Sequence, residues 1–202
     1  MITIVDYKVG NLGSIQNMLK KIGAKSEITS DPVKLESAEK IILPGVGAFD
    51  SGIESLKKYE LWDVLNEKVL VEKRPILGIC LGSQLLCEGS EEGEQKGLGW
   101  INAKVKKFNF DDRSFKVPHI GWNYTSLQKK SKLFKDMYAD PKFYFVHSYY
   151  MQVNDDSGLT QTNYNFDFDS AVEKDNILGV QFHPEKSHKF GMKLLENFVR
   201  EF

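Results

Sequence analysis

The pattern that most restricts the fold is an alternation of short apolar runs with amphipathic stretches, from Met1 through residue 90. Met1–Asp6 is the first apolar run and reads as a strand. Ile15, Met18, Leu19 and Ile22 follow at i, i+3, i+4, i+7, one face of a helix, and Gly23 ends it. Lys40–Leu43 reads as a buried strand entering the turn Pro44-Gly45-Val46-Gly47. Leu61, Val64, Leu65 and Lys68–Val69 form a further amphipathic helix, stopped by Arg74-Pro75, and Ile76–Ile79 is again a strand. Strands alternating with helices imply an α/β fold: an open, mostly parallel, flavodoxin-like sheet with helices on both faces.

After residue 90 the rhythm changes. Gly97–Phe110, Lys116–Tyr124, Lys142–Val153 and Gln161–Phe168 read as short strands between polar turns, hence an antiparallel extension or a mixed sheet. Asn176–Phe182 is a last strand. Phe190, Leu194, Phe198 and Phe202 recur every four residues and mark a closing helix over Ser187–Phe202. No linker, repeat or low-complexity stretch divides the chain, so residues 1–202 are expected to form a single domain.

Composition excludes several function classes. Lys plus Arg number 27 against 28 Asp plus Glu, so the net charge of −1 gives no chain-wide attraction to nucleic acid or an anionic membrane. No apolar run approaches the ~18 residues of a membrane span. Asp6 and Lys8 interrupt the N-terminus too early for a signal peptide, so a soluble, cytoplasmic protein is expected. Cys80 and Cys87 are the two cysteines. On a helix their Cα atoms would lie ~10 Å apart, too far for a disulfide. With His119, His147, His183 and His188 they show no zinc-type spacing, and neither a metal nor a cofactor is expected.

Gly78-Ile79-Cys80-Leu81-Gly82 follows an apolar strand and precedes residues able to start a helix, the context of a nucleophile elbow with Cys in place of Ser. The sharp turn needs small neighbours, hence Gly78 and Gly82. The N-terminus of the following helix would favour a thiolate, and the Leu81 N–H would point into an oxyanion hole. The plainer reading of Cys80 is a small buried hydrophobe, and for Cys87 packing in the core is the expectation. A thiolate nucleophile needs an oriented base. His183-Pro184-Glu185, at the end of the last strand, supplies one if the chain stays extended, because residues i and i+2 then share a side. For His119, His147 and His188 the plain reading of a core or exposed histidine stands.

Gly78–Gln84, the turn Pro44–Gly47 and His183-Pro184-Glu185 together resemble the class I, triad-type glutamine amidotransferases. Leu43–Phe49, Ser90-Glu91-Glu92, Pro118–Asn123, Phe145–Tyr149, Gly10-Asn11 and His183–Ser187 are similar, within that family, to the glutaminase subunits of imidazole glycerol phosphate synthases. The resemblance covers essentially the whole chain. It implies hydrolysis of L-glutamine through a glutamyl thioester on Cys80, with His183 as acid and base and Glu185 holding the imidazole. It also implies an oxyanion hole from Leu81 and the turn Gly45-Val46-Gly47, and a substrate grip from Gln84, Glu92, Ser148 and Tyr149.

The ammonia would pass to a separate (β/α)8-barrel cyclase subunit in histidine biosynthesis, with Asn11, Trp122 and Lys186 at family positions near that interface. Trp122 read simply as core, and Lys186 as a solvated charge, are the alternatives. Ser83 and Ile120 stand where the family often has Met, and Trp100 where it often has a smaller residue. These departures keep open a paralogous glutaminase that feeds amidation of a surface-polysaccharide sugar. A free-standing cysteine hydrolase and a non-catalytic binding module are the remaining alternatives.

Overall fold

The computed structural model describes residues 1–112 and 114–202. Four strands, β1 (Ile2–Val5), β2 (Ser26–Thr29), β3 (Lys40–Gly45) and β4 (Ile76–Cys80), pair in parallel in the order β2-β1-β3-β4. They alternate with helices α1 (Leu12–Lys21), α2 (Pro32–Glu36), α3 (Phe49–Lys58) and α4 (Leu61–Asn66). The short helix α5 (Leu81–Leu85) follows β4 without a break. Successive strand residues feed opposite faces: Ile41 and Leu43 pack with α2, α3 and α4, while Ile42 packs with Ile15, Leu19 and the C-terminal helix. Cores on both sides are what near-continuous apolar strands require.

The second half adds β5 (Gly89–Ser90), β6 (Ala103–Lys107), β7 (His119–Tyr124), β8 (Ser126–Leu127), β9 (Lys142–His147), β10 (Tyr149–Val153), β11 (Gly158–Tyr164), β12 (Phe166–Lys174) and β13 (Ile177–Val180). Helix α6 (His188–Glu201) closes the chain. Strand β13 inserts parallel to β4, and β12, β10 and β6 continue the sheet antiparallel from it. The antiparallel pair β7–β9 stands apart as a two-stranded ribbon. Beside these elements, no helix among the described residues is long and apolar enough to cross a membrane.

Several expectations are corrected in detail. The strand read over Gly97–Phe110 is confined to Ala103–Lys107. Gln161–Phe168 is two strands, because Asn165 adopts φ 67° and turns the chain into the β11–β12 hairpin. Lys142–Val153 breaks at Ser148, sending β9 to the ribbon and β10 to the main sheet. The amphipathic helix from Leu61 gives way to a π-helical turn over Glu67–Val71. Strand β2 and helices α2 and α3 are absent from the sequence reading, although Phe49, Ile53 and Leu56 of α3 all face the core.

The tightest joint in the sheet lies where β3 meets the start of α5. A Cβ on Gly82 would sit 1.8 Å from the Leu43 carbonyl oxygen, so backbone must touch backbone there. Gly13, exposed in the first turn of α1, has nothing within 4 Å of the equivalent position. Gly82→Ala should therefore cost about 3 kcal/mol or more in denaturant unfolding, while Gly13→Ala should gain about 0.5–1 kcal/mol.

Candidate active site

Cys80 is the last residue of β4 and has φ 54° and ψ −112°, a left-handed conformation that a non-glycine residue holds only under strain. Its neighbours explain how the strain persists. A Cβ on Gly78 would approach the Gly82 oxygen and the Ser83 backbone at 2.8 Å, so both flanking glycines are needed by close contact. The Ser83 hydroxyl donates to the Cys80 carbonyl at 2.7 Å and pins the turn. Cys80 is only 7% exposed. Since α5 is just five residues long, a helix dipole contributes less here than the sequence implied, and the decisive charge is a side chain.

That side chain is His183. Strands β4 and β13 are parallel neighbours in register, Val180 beside Ile79, so the segment leaving β13 runs past the end of β4. The His183 N–H donates to the Tyr144 carbonyl at 2.9 Å, and its own carbonyl accepts from the Ser187 hydroxyl at 2.6 Å. Pro184–Lys186 is a 3-10 turn, so Glu185 reaches His183 around a turn and not along an extended strand. Nδ1 of His183 lies 2.7 Å from Oε1 of Glu185, and their side chains are 3% and 2% exposed. With Nδ1 donating to the carboxylate, Nε2 is left without a partner and free to take a proton. Burial disfavours the charged ring, but the neighbouring Cys80 sulfur and the hydrogen-bonded Glu185 carboxylate outweigh it and push His183 up to about 9.

A cleft of about 330 Å³ opens over the sulfur and is lined by Val46, Gly47, Cys80, Leu81, Gln84, Glu92, Pro118, Val146, His147, Ser148 and Tyr149. Val46, Leu81, Gln84, Glu92, Ser148 and Tyr149 of the residues named from sequence thus share one wall system with Cys80. Gly45 sits behind it, opposite Cys80 in the β3–β4 register and packed so closely that a Cβ would lie 2.3 Å from the Tyr7 hydroxyl.

One oxygen of Glu92 accepts the Phe49 N–H at 2.8 Å, fixing the carboxylate at the start of α3. Gln84 Nε2 donates to the Tyr149 carbonyl at 3.3 Å and to Gln181 Oε1 at 2.9 Å. Both amide hydrogens are thereby used, and the amide oxygen is what Gln84 has left for a ligand. Of the lining residues, Pro118, Val146 and His147 are not among the site residues named from sequence. They lie in the family segments Phe145–Tyr149 and Pro118–Asn123, and the antiparallel ribbon is what brings them to the cleft.

His119 and His147 are buried and hydrogen-bonded to each other, Nδ1 to Nε2, at 2.9 Å. Burial lowers His119 to about 4. Burial also lowers His147 to about 3, although its hydrogen bond to the Tyr149 carbonyl acts the other way. Asn11, Trp122 and Lys186 lie away from the cleft. The Asn11 side chain caps α1 by accepting the Ser14 N–H at 3.4 Å. Lys186 is exposed, and Trp122 is no core residue: it is 42% exposed and stacks on His188 at 5.3 Å and 4°. Cys87 is fully buried, with burial pushing its thiol up. Both cysteines are free, and among the described residues no group of three His, Cys, Asp or Glu could hold a metal.

These charge states set a pH dependence of opposite sign for the two histidine types. His183, raised in the fold from an ordinary value near 6.5, contributes stability that is present below 6.5 and lost as pH rises to about 9. His119 and His147, held neutral, make the fold lose stability as pH falls from 6.5 towards about 4 and about 3. Imidazole NMR titration should show His183 still protonated at about pH 8 and shifted downward in Glu185→Gln, with His119 and His147 neutral at about pH 5.

Comparison with known proteins agrees with this geometry. The sequence profile of the family described as glutamine amidotransferase class-I matches residues 3–202. The chain is 56% identical over 202 residues to imidazole glycerol phosphate synthase subunit HisH 2 of Methanococcus maripaludis, covering 100% of both. It is 47% identical to imidazole glycerol phosphate synthase subunit HisH of Leptospira interrogans, over 98% of this chain and 99% of that one. A crystal structure of a glutamine amidotransferase superposes with a TM-score of 0.75 at 18% identity, over 98% of this chain and 96% of the other, a likeness of fold. With the profile matched from β1 to the end of α6, the chain belongs to the class I glutamine amidotransferase family.

Proposed function

We propose that this chain is a glutaminase subunit, one domain over residues 1–202, that hydrolyses L-glutamine and hands the ammonia to a synthase partner. The observation that carries the reading is the strained Cys80 beneath the cleft with His183, oriented by Glu185, arriving from the adjacent strand. Cys80 Sγ attacks the side-chain amide carbon, the new C–S bond forms, and the carbonyl electrons move onto oxygen. The Leu81 N–H and an N–H of the Gly45–Gly47 turn serve as oxyanion donors, each worth about 3 kcal/mol. His183, carrying the thiol proton on Nε2, gives it to the leaving nitrogen as the C–N bond breaks, and ammonia departs. Water then adds to the thioester, loses a proton to His183, and glutamate leaves as the C–S bond breaks. Glu92 and the Gln84 amide oxygen suit the substrate ammonium, and the Ser148–Tyr149 backbone faces its carboxylate.

Ammonia protonates in neutral water and ceases to be a nucleophile, so a closed route to an acceptor is expected. Ile120, Trp122 and Tyr124, at alternate positions of β7, are 59%, 42% and 61% exposed and form an apolar row suited to docking. The relatives named as imidazole glycerol phosphate synthase subunits favour a synthase partner and a role in histidine biosynthesis. The partner in this proposal is a (β/α)8-barrel cyclase docked at Asn11, Trp122 and Lys186, in the cytoplasm. One observation supports a second reading. Relatives at 56% and 51% identity both carry the numeral 2 in their names, as a second copy would, which suits a glutaminase serving surface-polysaccharide sugar amidation. Reconstitution with each candidate synthase separates the two.

Cys80→Ala should abolish glutamate release while leaving the fold and partner binding intact, and ammonium salts should still support synthesis by the complex. Cys87→Ala should keep turnover and lose about 1 kcal/mol of stability. The reverse pattern would overturn the nucleophile assignment. The isolated chain should be a poor glutaminase, stimulated about a hundredfold by the partner with its ligand, which needs only ~2.7 kcal/mol at one donor. Full activity without a partner would instead identify a free-standing hydrolase.

A further inference from the structure

Gln181 is fully buried, two residues before His183, and sequence reasoning gave it no role. Its Nε2 lies 3.7 Å from the Cys80 sulfur, within hydrogen-bonding distance for that atom. The orientation of its amide follows from a chain of obligatory acceptors. The Tyr149 carbonyl can only accept, and it takes hydrogen bonds from His147 Nδ1 at 2.7 Å and from Gln84 Nε2 at 3.3 Å. That fixes which end of the Gln84 amide is nitrogen. The same nitrogen lies 2.9 Å from Gln181 Oε1, so Gln181 must present its oxygen to Gln84 and its N–H to the sulfur.

We propose that Gln181 is a further catalytic residue of this site, its side-chain N–H stabilising the Cys80 thiolate, with Gln84 as the positioning residue that keeps the N–H turned toward sulfur. The proposal rests on Cys80 being the nucleophile. A buried thiolate has lost its hydration, and a hydrogen bond to an ionised acceptor is stronger than one between neutral groups. The donor favours the anion over the thiol before substrate arrives. It also returns the sulfur to a held position when the thioester breaks. Gln181 and His183 sit at i and i+2 on one segment, so a single stretch of backbone supplies both the proton acceptor and the fixed donor. The titratable groups that bear on the sulfur are His183, Glu185 behind it, and the buried Tyr7 phenol, which burial and the Cys80 charge both raise.

The test uses the full chain, without a partner, and iodoacetamide as the probe. Buried Cys87 serves as the internal control, and thermal melting reports folding. Gln181→Met keeps the length and removes the donor. Its Cys80 alkylation should be about tenfold slower than wild type near pH 7 and should converge with wild type at high pH, where ionisation no longer needs the donor. A mere packing defect would change the rate at every pH. Gln181→Glu still accepts from Gln84 but sets a carboxylate against the sulfur. It should be slower than Gln181→Met at about pH 8, and the gap between the two should close as acid restores an O–H donor. It also carries the test if the methionine variant melts early.

Wild-type rates in Gln181→Met, or a pH-independent slowing in both variants, would overturn the proposal. If that happens while Cys80→Ala still abolishes glutamine hydrolysis, the glutaminase reading stands and only the role of Gln181 falls. If Cys80→Ala retains hydrolysis, the nucleophile assignment itself fails.

Discussion

The contact on which the site depends is between two pieces of backbone. Gly82 rests on the Leu43 carbonyl, and Gly78 on Gly82 and Ser83, leaving no room for a side chain between β3, β4 and α5. This packing holds Cys80 in a conformation costing on the order of 1–3 kcal/mol, because relaxing it would require the central strands to part. The same closeness sets the Gly45–Gly47 turn against the elbow, so the sulfur and the turn proposed to hold the oxyanion are positioned by one joint. Parallel pairing of β4 with β13 then delivers His183 from the other side.

Electrostatics divides the four histidines by their partners. His183 meets a carboxylate and a thiol, and the charged ring is favoured in spite of burial. His119 and His147 meet aromatic rings, an amide, a carbonyl and each other, and stay neutral. Burial is common to all three, and only the neighbours differ. The exposed ring of His188 serves instead as a stacking surface for Trp122.

What the sequence disclosed follows from which constraints are local. The elbow was legible because a strained turn needs glycines at fixed offsets, and the alternation of strands and helices was legible because each period is written within a few residues. The His183–Glu185 pair was found by an argument from extended backbone, whereas Pro184 opens a 3-10 turn, so the contact was right and its geometry was not. Helix α3 was missed although Phe49, Ile53 and Leu56 carry the helical spacing, since the preceding glycine turn drew the reading away. Asn165, a single residue in the left-handed region, splits what looked like one strand. Gln181 left no trace, because a glutamine at the end of an apolar strand has no spacing signature and its meaning comes from partners 97 and 101 residues away.

Strands β9 and β10 are consecutive in the chain yet belong to different sheets, with only Ser148 between them. The β7–β9 ribbon is anchored at its middle, where Phe143 and Phe145 lie in the core and the Tyr144 carbonyl accepts the His183 N–H, and it ends in the cleft wall. Its outer face carries the exposed row of Ile120, Trp122 and Tyr124, and its inner end carries His147, whose ring is tied to the Tyr149 carbonyl just past Ser148. The exposed row and the backbone that borders the sulfur are therefore joined through a single residue, with no loop between them.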